Sequence, residues 1–313
     1  MNTRTKNQPS DAAPEWLQSK ERGSLFWLRV MSQISLILGR RVSRLIVYGI
    51  ALYFLLAAPA ARKASRAYLA RCLGRPVTWL DLYRHILAFS STIHDRFHML
   101  NDQHDLFNIR VFGTAPIDAL IQHNSGIFLF GAHLGSFEVL RSHARNNPAL
   151  KVLMAMYPEN ARQLNSILAA INPQASHNIV SLGQMDSMLT IYQKLEDGAV
   201  VGILADRAVG QDQYLSIPFL GMPARFPTGP FRMAAMLRHP VYFMAGLYHG
   251  ANRYDVHFEL LTDFSKSAPA DRDAAMRELL NKYVAALERH CLSAPFNWFN
   301  FYDFWESAHR DKI

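Results

Sequence analysis

His133 and Glu138 stand five positions apart, and their types and spacing suit proton-transfer chemistry. They lie in the segment Ile127-Phe-Leu-Phe-Gly-Ala-His133-Leu-Gly-Ser-Phe-Glu138-Val-Leu. An imidazole oriented by a carboxylate can take the proton of an attacking hydroxyl. On one continuous helix the two side chains would point about 140° apart. A meeting therefore requires His133 just outside the helix, with Glu138 reaching back from its first turn. The same two residues also fit an ordinary strand-end histidine and a glutamate favoured by the positive helix terminus. Gly131 and Gly135 clear side chains from the approach to the histidine.

The elements around this pair follow from the pattern of apolar residues. Residues 126–131 form an apolar run bounded by Ser125-Gly126 and Gly131, which predicts a buried strand. His133 then falls in the loop past a strand's carboxyl end, where open α/β sheets bind their ligands. Ser136 is placed to cap the following helix. Further strands are expected at 108–113, 150–157, 178–182, 199–205, 240–248 and 254–261. Helices are expected at 81–101, 115–123, 136–146, 159–171, 184–197, 228–238 and 270–292. The alternation predicts an α/β class with a largely parallel mixed sheet flanked by helices. Only His249 to Arg253 separate the last two strands, which predicts an antiparallel hairpin.

Other chemistry-bearing residues sit at related places. Arg162 opens a helix after strand 150–157, and Asp206 follows the apolar strand Gly202-Ile-Leu-Ala205. A strand-end aspartate also serves simply to close a turn. Arg207 and Arg225 carry planar donors suited to phosphate or carboxylate groups. Thr228 with Pro230 is a favourable helix start. His94, Asp95 and His98 have a metal-like spacing but lack the glutamate and third ligand of a zinc signature, so a solvated or interfacial helix face is expected there and no metal.

His-Leu-Gly-Ser-Phe-Glu resembles the His-x4-Asp/Glu signature of the glycerolipid (lysophospholipid) acyltransferase superfamily. More closely, the chain resembles the branch that contains the bacterial lipid A late acyltransferases. Asn160-Ala-Arg162-Gln-Leu-Asn165, Ala205-Asp206-Arg207 and Ile217-Pro-Phe-Leu-Gly-Met-Pro-Ala-Arg225-Phe-Pro-Thr228-Gly229-Pro add to the likeness, in the expected order. The resemblance spans roughly residues 24 to 300. It implies acyl transfer from a thioester of acyl carrier protein or coenzyme A to a lipid or glycolipid hydroxyl, with no cofactor beyond that thioester. His133 would be the general base and Glu138 its orienting carboxylate. Gly135, Arg162, Asp206, Arg207, Arg225, Thr228 and Gly229 would line the substrates, and backbone N–H groups near Gly135 would help hold the developing oxyanion. Ala205-Asp206-Arg207 replaces the usual Gly-Asp-Gln, and the tail Pro295-Phe-Asn-Trp-Phe-Asn-Phe-Tyr-Asp-Phe-Trp305 lacks a Trp-x-His-Arg-Arg ending. That tail is more similar to a subgroup of fatty-acyl and aryl polyene pathways, which implies a different lipid acceptor.

The totals agree with this direction. The chain has 313 residues and a formal net charge of +8, so an anionic partner is expected. Neither zinc-finger spacing nor an RNA-binding aromatic motif accompanies the charge, which argues against nucleic acid. Cys72 and Cys291 are the only cysteines, which argues for a reducing compartment rather than a disulfide framework. Residues 1–23 read as a polar tail. Ser24 to Leu38 is largely apolar, and the 17 residues Leu45 to Ala61 carry no charge. Arg40, Arg41 and Arg44 precede the second run, and Arg62, Lys63 and Arg66 follow it. This arrangement fits a helix or helical hairpin anchored in one leaflet against an anionic membrane surface; a buried core helix is the alternative.

The expected organisation is thus a tail at 1–23, a membrane-anchoring helical segment at 24–66 and an acyltransferase domain at 67–313. The expected location is the cytoplasmic face of the inner membrane. Arg62, Lys63, Arg66, Arg71 and Arg75 form the densest basic stretch, a candidate dock for an acidic carrier protein. A serine hydrolase is disfavoured because the chain has no Gly-x-Ser-x-Gly elbow. A noncatalytic membrane scaffold is the competing class.

Overall fold

The computed structural model describes residues 25–139, 151–158, 160, 166–168, 171–172, 179–183, 185–207, 213–266 and 271–305. Three helices lead the chain: α1 (Leu25–Ala57), α2 (Pro59–Leu73) and α3 (Trp79–Leu100). The sheet strands are β1 (Asn108–Phe112), β2 (Ile127–Gly131), β3 (Val152–Met156), β4 (Ile179–Ser181), β5 (Val200–Leu204), β8 (Pro240–Tyr248) and β9 (Arg253–Asp263). Between them run α4 (Ala115–Gln122), α5 (Met185–Glu196) and α6 (Gly229–Leu237), and α7 (Arg272–Ser293) follows β9. A separate antiparallel hairpin joins β6 (Tyr214–Phe219) to β7 (Met222–Pro227).

The seven-stranded sheet has the order β1-β9-β8-β2-β5-β3-β4. Every neighbouring pair is parallel except β8 with β9, which is the expected hairpin. β2 is buried along its whole length because both faces of the sheet are covered. Phe128 and Phe130 point into a core shared with α5, α6, α7 and the carboxy-terminal segment. Ile127 and Leu129 point into a second core with Tyr242, Tyr254 and Val256 of the sheet and Met99 of α3. The strict alternation follows from the period-two geometry of a strand.

The β6–β7 hairpin has no counterpart in the expected elements. Leu215, Ile217 and Phe219 alternate inward and pair with Phe226, Ala224 and Met222. Pro218, Pro223 and Pro227 mask that alternation, because proline in a run argues against a paired strand. Here Pro218 faces Pro223 outward. The turn residues Leu220 and Gly221 both have positive φ, 50° and 79°, as a two-residue hairpin turn requires.

Gly39, at φ 73° and ψ 162°, breaks α1 into two helical pieces. Among the described residues no single helix is long and apolar enough to cross a membrane, although α1 from Val30 and α2 together form a pair bent by 95° that would be by length and composition. α1 packs on α3 through Ser43, Val47, Ala51 and Leu55, all buried. Its other face exposes Ile37, Leu38, Val42, Leu45, Leu52, Tyr53 and Leu56.

His94, Asp95 and His98 do not form a solvated or interfacial face; all three are buried. Asp95 accepts from Arg40 Nε at 2.8 Å and Nη2 at 3.0 Å, and from Tyr254 Oη at 2.7 Å. His94 Nε2 meets Ser43 Oγ at 2.7 Å, and His98 Nδ1 meets Gln103 Oε1 at 2.6 Å. Burial is tolerated because the Arg40 guanidinium compensates the carboxylate within hydrogen-bonding distance. Arg40 and Arg44 both donate to the Ala251 carbonyl at the β8–β9 turn, so these two arginines face protein rather than lipid headgroups.

Candidate active site

β2 and β5 are adjacent and parallel, with Gly131 opposite Leu204. Ala205 N donates to Gly131 O at 3.0 Å, which carries the register one step past the strands. His133 and Asp206 each follow their strand end by two residues, so the pairing that aligns the strands also brings these side chains together. His133 Nδ1 lies 2.8 Å from Asp206 Oδ1, and the His133 backbone N–H donates to Asp206 Oδ2 at 3.1 Å. With an ionised carboxylate on Nδ1, the proton belongs on Nδ1 and Nε2 carries the lone pair. Among the described residues Nε2 has no hydrogen-bond partner, and 32% of the His133 side chain is accessible.

Burial first, and then the Arg207 guanidinium, press the His133 pKa below the usual histidine value against the opposing pull of Asp206. The imidazole is therefore neutral near pH 7, as a general base must be. Burial alone would raise the Asp206 pKa, but His133, Arg207 and the backbone N–H hold its carboxyl well below the usual carboxylate range. Asp206 is fully buried, and its charge is met by four donors. Besides the two from His133, Trp298 Nε1 and Asn300 Nδ2 each donate to Oδ2 at 3.1 Å.

The carboxy-terminal segment supplies those last two. Phe299 N donates to His133 O at 2.7 Å, Gly135 N donates to Asn297 O at 2.8 Å, and Leu134 bridges Trp298 in antiparallel fashion. Arg207 Nε donates to Asn300 Oδ1 at 2.6 Å and Nη2 to Phe299 O at 3.2 Å. The guanidinium also lies over the Tyr302 ring, 5.5 Å from its centroid. From the opposite side Tyr283 Oη donates to Gly131 O at 2.8 Å, fixing the strand end beneath the histidine loop. Trp298, Asn300 and Tyr283 were not among the expected site residues; the only signal for the first two was the departure of the tail from the familiar ending.

Glu138 opens the next helix with its carboxylate buried, and Arg96 Nε of α3 lies 4.0 Å away. The carboxylate on His133 Nδ1 is that of Asp206, in the place the sequence reading gave to Glu138. Gly135 has a steric task in this loop. Its φ is 70°, and a Cβ there would overlap the Gly246 carbonyl oxygen, so glycine is required for the loop to pass β8. The Gly135 and Ser136 N–H groups donate to Asn297 O and Gly246 O at 2.8 Å each, so these two are engaged within the protein.

Arg225 sits on the outward side of the β6–β7 hairpin, with its guanidinium over Tyr214 at 4.2 Å. Thr228 precedes α6, but its hydroxyl donates to Gln213 O at 3.2 Å and makes no side-chain cap. Gly229 is the first residue of α6. Thr228 and Gly229 thus tie the hairpin to α6. Arg162 and most of the expected helix at 159–171 lie outside the described residues, as do residues 140–146 of the helix expected at 136–146.

A paired histidine and aspartate past two parallel strands, with Nε2 unpartnered among the described residues and the side chain part-exposed, is equipped to deprotonate a hydroxyl. A family model described as bacterial lipid A biosynthesis acyltransferase matches residues 15–306. The chain belongs to this family. It is an acyltransferase, and a noncatalytic scaffold is set aside. No individual curated protein matches it significantly.

Proposed function

We propose that this acyltransferase moves a fatty acyl group from a thioester, on acyl carrier protein or coenzyme A, to a hydroxyl of a lipid or glycolipid at the cytoplasmic face of the inner membrane. The observation that carries the reading is the part-exposed His133 imidazole, fixed through Nδ1 by the buried Asp206 carboxylate. Nε2 takes the acceptor's hydroxyl proton as that oxygen attacks the thioester carbonyl. Negative charge collects on the carbonyl oxygen; its electron pair then re-forms the C=O bond as the C–S bond breaks and the sulfur leaves as thiolate. The imidazolium hands its proton to the departing thiolate, leaving an ester and a free thiol. Asp206 stabilises the imidazolium between these steps, as a carboxylate at Nδ1 does. Glu138 holds the start of the helix behind the loop and acts as a positioning residue. No further cofactor is invoked: the thioester is the co-substrate.

Attachment to the membrane is proposed through the outward face of α1. After the kink at Gly39, Val42, Leu45, Leu52 and Leu56 run along it at helical spacing and are exposed. Trp79 and Leu80 at the start of α3 are also exposed, and Arg62 and Arg66 lie over the Trp79 ring at 5.5 and 6.0 Å. An apolar stripe with tryptophan and basic residues beside it suits the boundary between headgroups and acyl chains of an anionic surface. The expected carrier dock is reduced accordingly. Arg75 pairs with Asp81 at 2.7 Å, whereas Arg62, Lys63, Arg66 and Arg71 have no carboxylate partner among the described residues and remain for an acidic partner.

Purified enzyme incubated with defined acyl thioesters and a membrane lipid extract, with mass spectrometry of the products, tests the reading. A lipid gaining one acyl group, formed by wild type and lost in folded His133→Ala, is the expected result. Wild-type turnover in His133→Ala would refute it.

A further inference from the structure

Asn300 touches the two charged residues that control His133 at once. Its side chain is buried, its Nδ2 donates to Asp206 Oδ2 at 3.1 Å, and its Oδ1 accepts from Arg207 Nε at 2.6 Å. The amide orientation is forced by charge. Turned over, it would set an oxygen against the carboxylate and an NH2 against the guanidinium, losing both bonds. A serine is too short to span the pair, and an aspartate would face Asp206 with like charge. An amide is the group whose two ends match a carboxylate on one side and a guanidinium on the other.

Trp298, two residues earlier, gives the same Oδ2 its indole N–H at 3.1 Å, and Phe299 between them receives Arg207 on its carbonyl and donates its N–H to His133 O. We infer that the segment Trp298–Asn300 is a working part of the acyl-transfer site, and that Asn300 is a positioning residue which fixes the ionised Asp206 carboxylate and the Arg207 guanidinium around His133. The inference rests on the proposed role of His133 as base.

The consequence is electrostatic as well as geometric. The charged groups facing His133 are Asp206 at Nδ1 and Arg207 beyond it; Tyr302 lies against Arg207, Tyr283 sits under the loop, and Glu138 with Arg96 stands behind it. Removing the Asn300 amide takes one donor from Asp206, which makes that carboxylate a better proton acceptor, and removes one of the contacts that position Arg207, the bond to its Nε. Both changes favour the imidazolium. A lost amide thus moves the histidine's titration upward while loosening the ring.

The test compares Asn300→Ala, Asn300→Asp and Trp298→Phe with wild type and His133→Ala, reading kcat, KM and the pH profile for one carrier-bound thioester and the lipid extract. Asn300→Ala is expected to lower kcat about 10- to 100-fold with little change in KM, because the reacting geometry rather than substrate binding is disturbed. Its acid limb should move up by about 0.5–1 pH unit. Asn300→Asp, which keeps the acceptor for Arg207 but repels Asp206, should lose more activity than Trp298→Phe, which keeps the ring and removes one donor. A folded Asn300→Ala enzyme with wild-type kcat and an unmoved acid limb overturns the inference. A lower melting temperature with unmoved kcat and acid limb also overturns it, since that is a structural role alone. If His133→Ala itself retains wild-type turnover, the reading of the base has failed instead, so the two failures are separable.

Discussion

Replacing Asp206 with asparagine keeps the side chain's shape and changes only what its atoms donate and accept. The carboxylate takes four N–H groups, three of them at Oδ2 from His133 N, Trp298 and Asn300, and the fourth at Oδ1 from His133 Nδ1. An amide offers one oxygen with two lone pairs and one NH2. Leaving the oxygen toward the three donors weakens all three bonds, because the negative charge is gone, and turns the NH2 toward His133 Nδ1. That contact is made only if the ring moves its proton to Nε2, which removes the lone pair the acceptor hydroxyl needs. The expected loss in kcat is about 10²–10⁴-fold, the typical worth of general-base assistance. In stability, losing a bond to a charged buried group costs about 1.5–3 kcal/mol, and relief from holding a buried charge offsets part of it. A drop of a few degrees in Tm is expected, not unfolding. The assay is thiol release from a defined acyl thioester with a lipid acceptor, run beside thermal melting, with ring 15N shifts reporting the tautomer. A folded Asp206→Asn enzyme with wild-type kcat at neutral pH would refute the argument that Asp206 sets the tautomer.

Three further outcomes follow from the same structure. The acid limb of kcat/KM should fall below the ordinary histidine pKa of about 6.5, because burial and Arg207 together outweigh Asp206 at His133; a limb above that value would contradict it. His85 is buried between Ser65 Oγ at 2.7 Å and Trp298 O at 2.9 Å, and burial brings its pKa down to about 4 despite the carbonyl bond. The unfolded chain protonates first, so stability present above about pH 6.5 should be lost as pH falls toward 4, by about 3 kcal/mol in total; His85→Gln should flatten that part of a denaturation-versus-pH curve. Leu45→Glu with Leu52→Glu should weaken binding to vesicles containing anionic lipid while leaving the melting temperature nearly unchanged, because both side chains are exposed; unchanged sedimentation with vesicles would place the anchor elsewhere.

The parallel sheet was legible because β2, β5 and β8 are continuous apolar runs with small or polar residues at their ends, and the alternation with helices leaves few topologies. His133 and Asp206 were both placed past strand ends by that reading, yet their partnership was not. Seventy-three positions separate them, and only the β2–β5 register shows that two equal overhangs meet. Glu138 was the natural partner by proximity in the chain; a helix start beside Arg96 is where folding puts it. The His94–Asp95–His98 group shows the converse. Its charges read as solvated on a lone helix, since the compensating Arg40 and Tyr254 come from α1 and β9. The β6–β7 hairpin was hidden by Pro218, Pro223 and Pro227, which interrupt the apolar alternation of the two strands.

The helices that carry the apolar stripe are not a detachable handle. Ala51 and Leu55 of α1, Tyr68 of α2 and Ile86 of α3 belong to the same core as Phe130 and Trp298, and His85 ties Ser65 to the Trp298 carbonyl. Extraction therefore has a built-in hazard. On the proposed membrane contact, a detergent that only replaces lipid on the outer face of α1 leaves the enzyme whole, whereas one that wedges between α1 and α3 loosens the floor on which Trp298 rests. Inactivation during solubilisation should then precede loss of the sheet's circular dichroism, and trimming the chain at residue 66 to gain solubility would remove half of that floor.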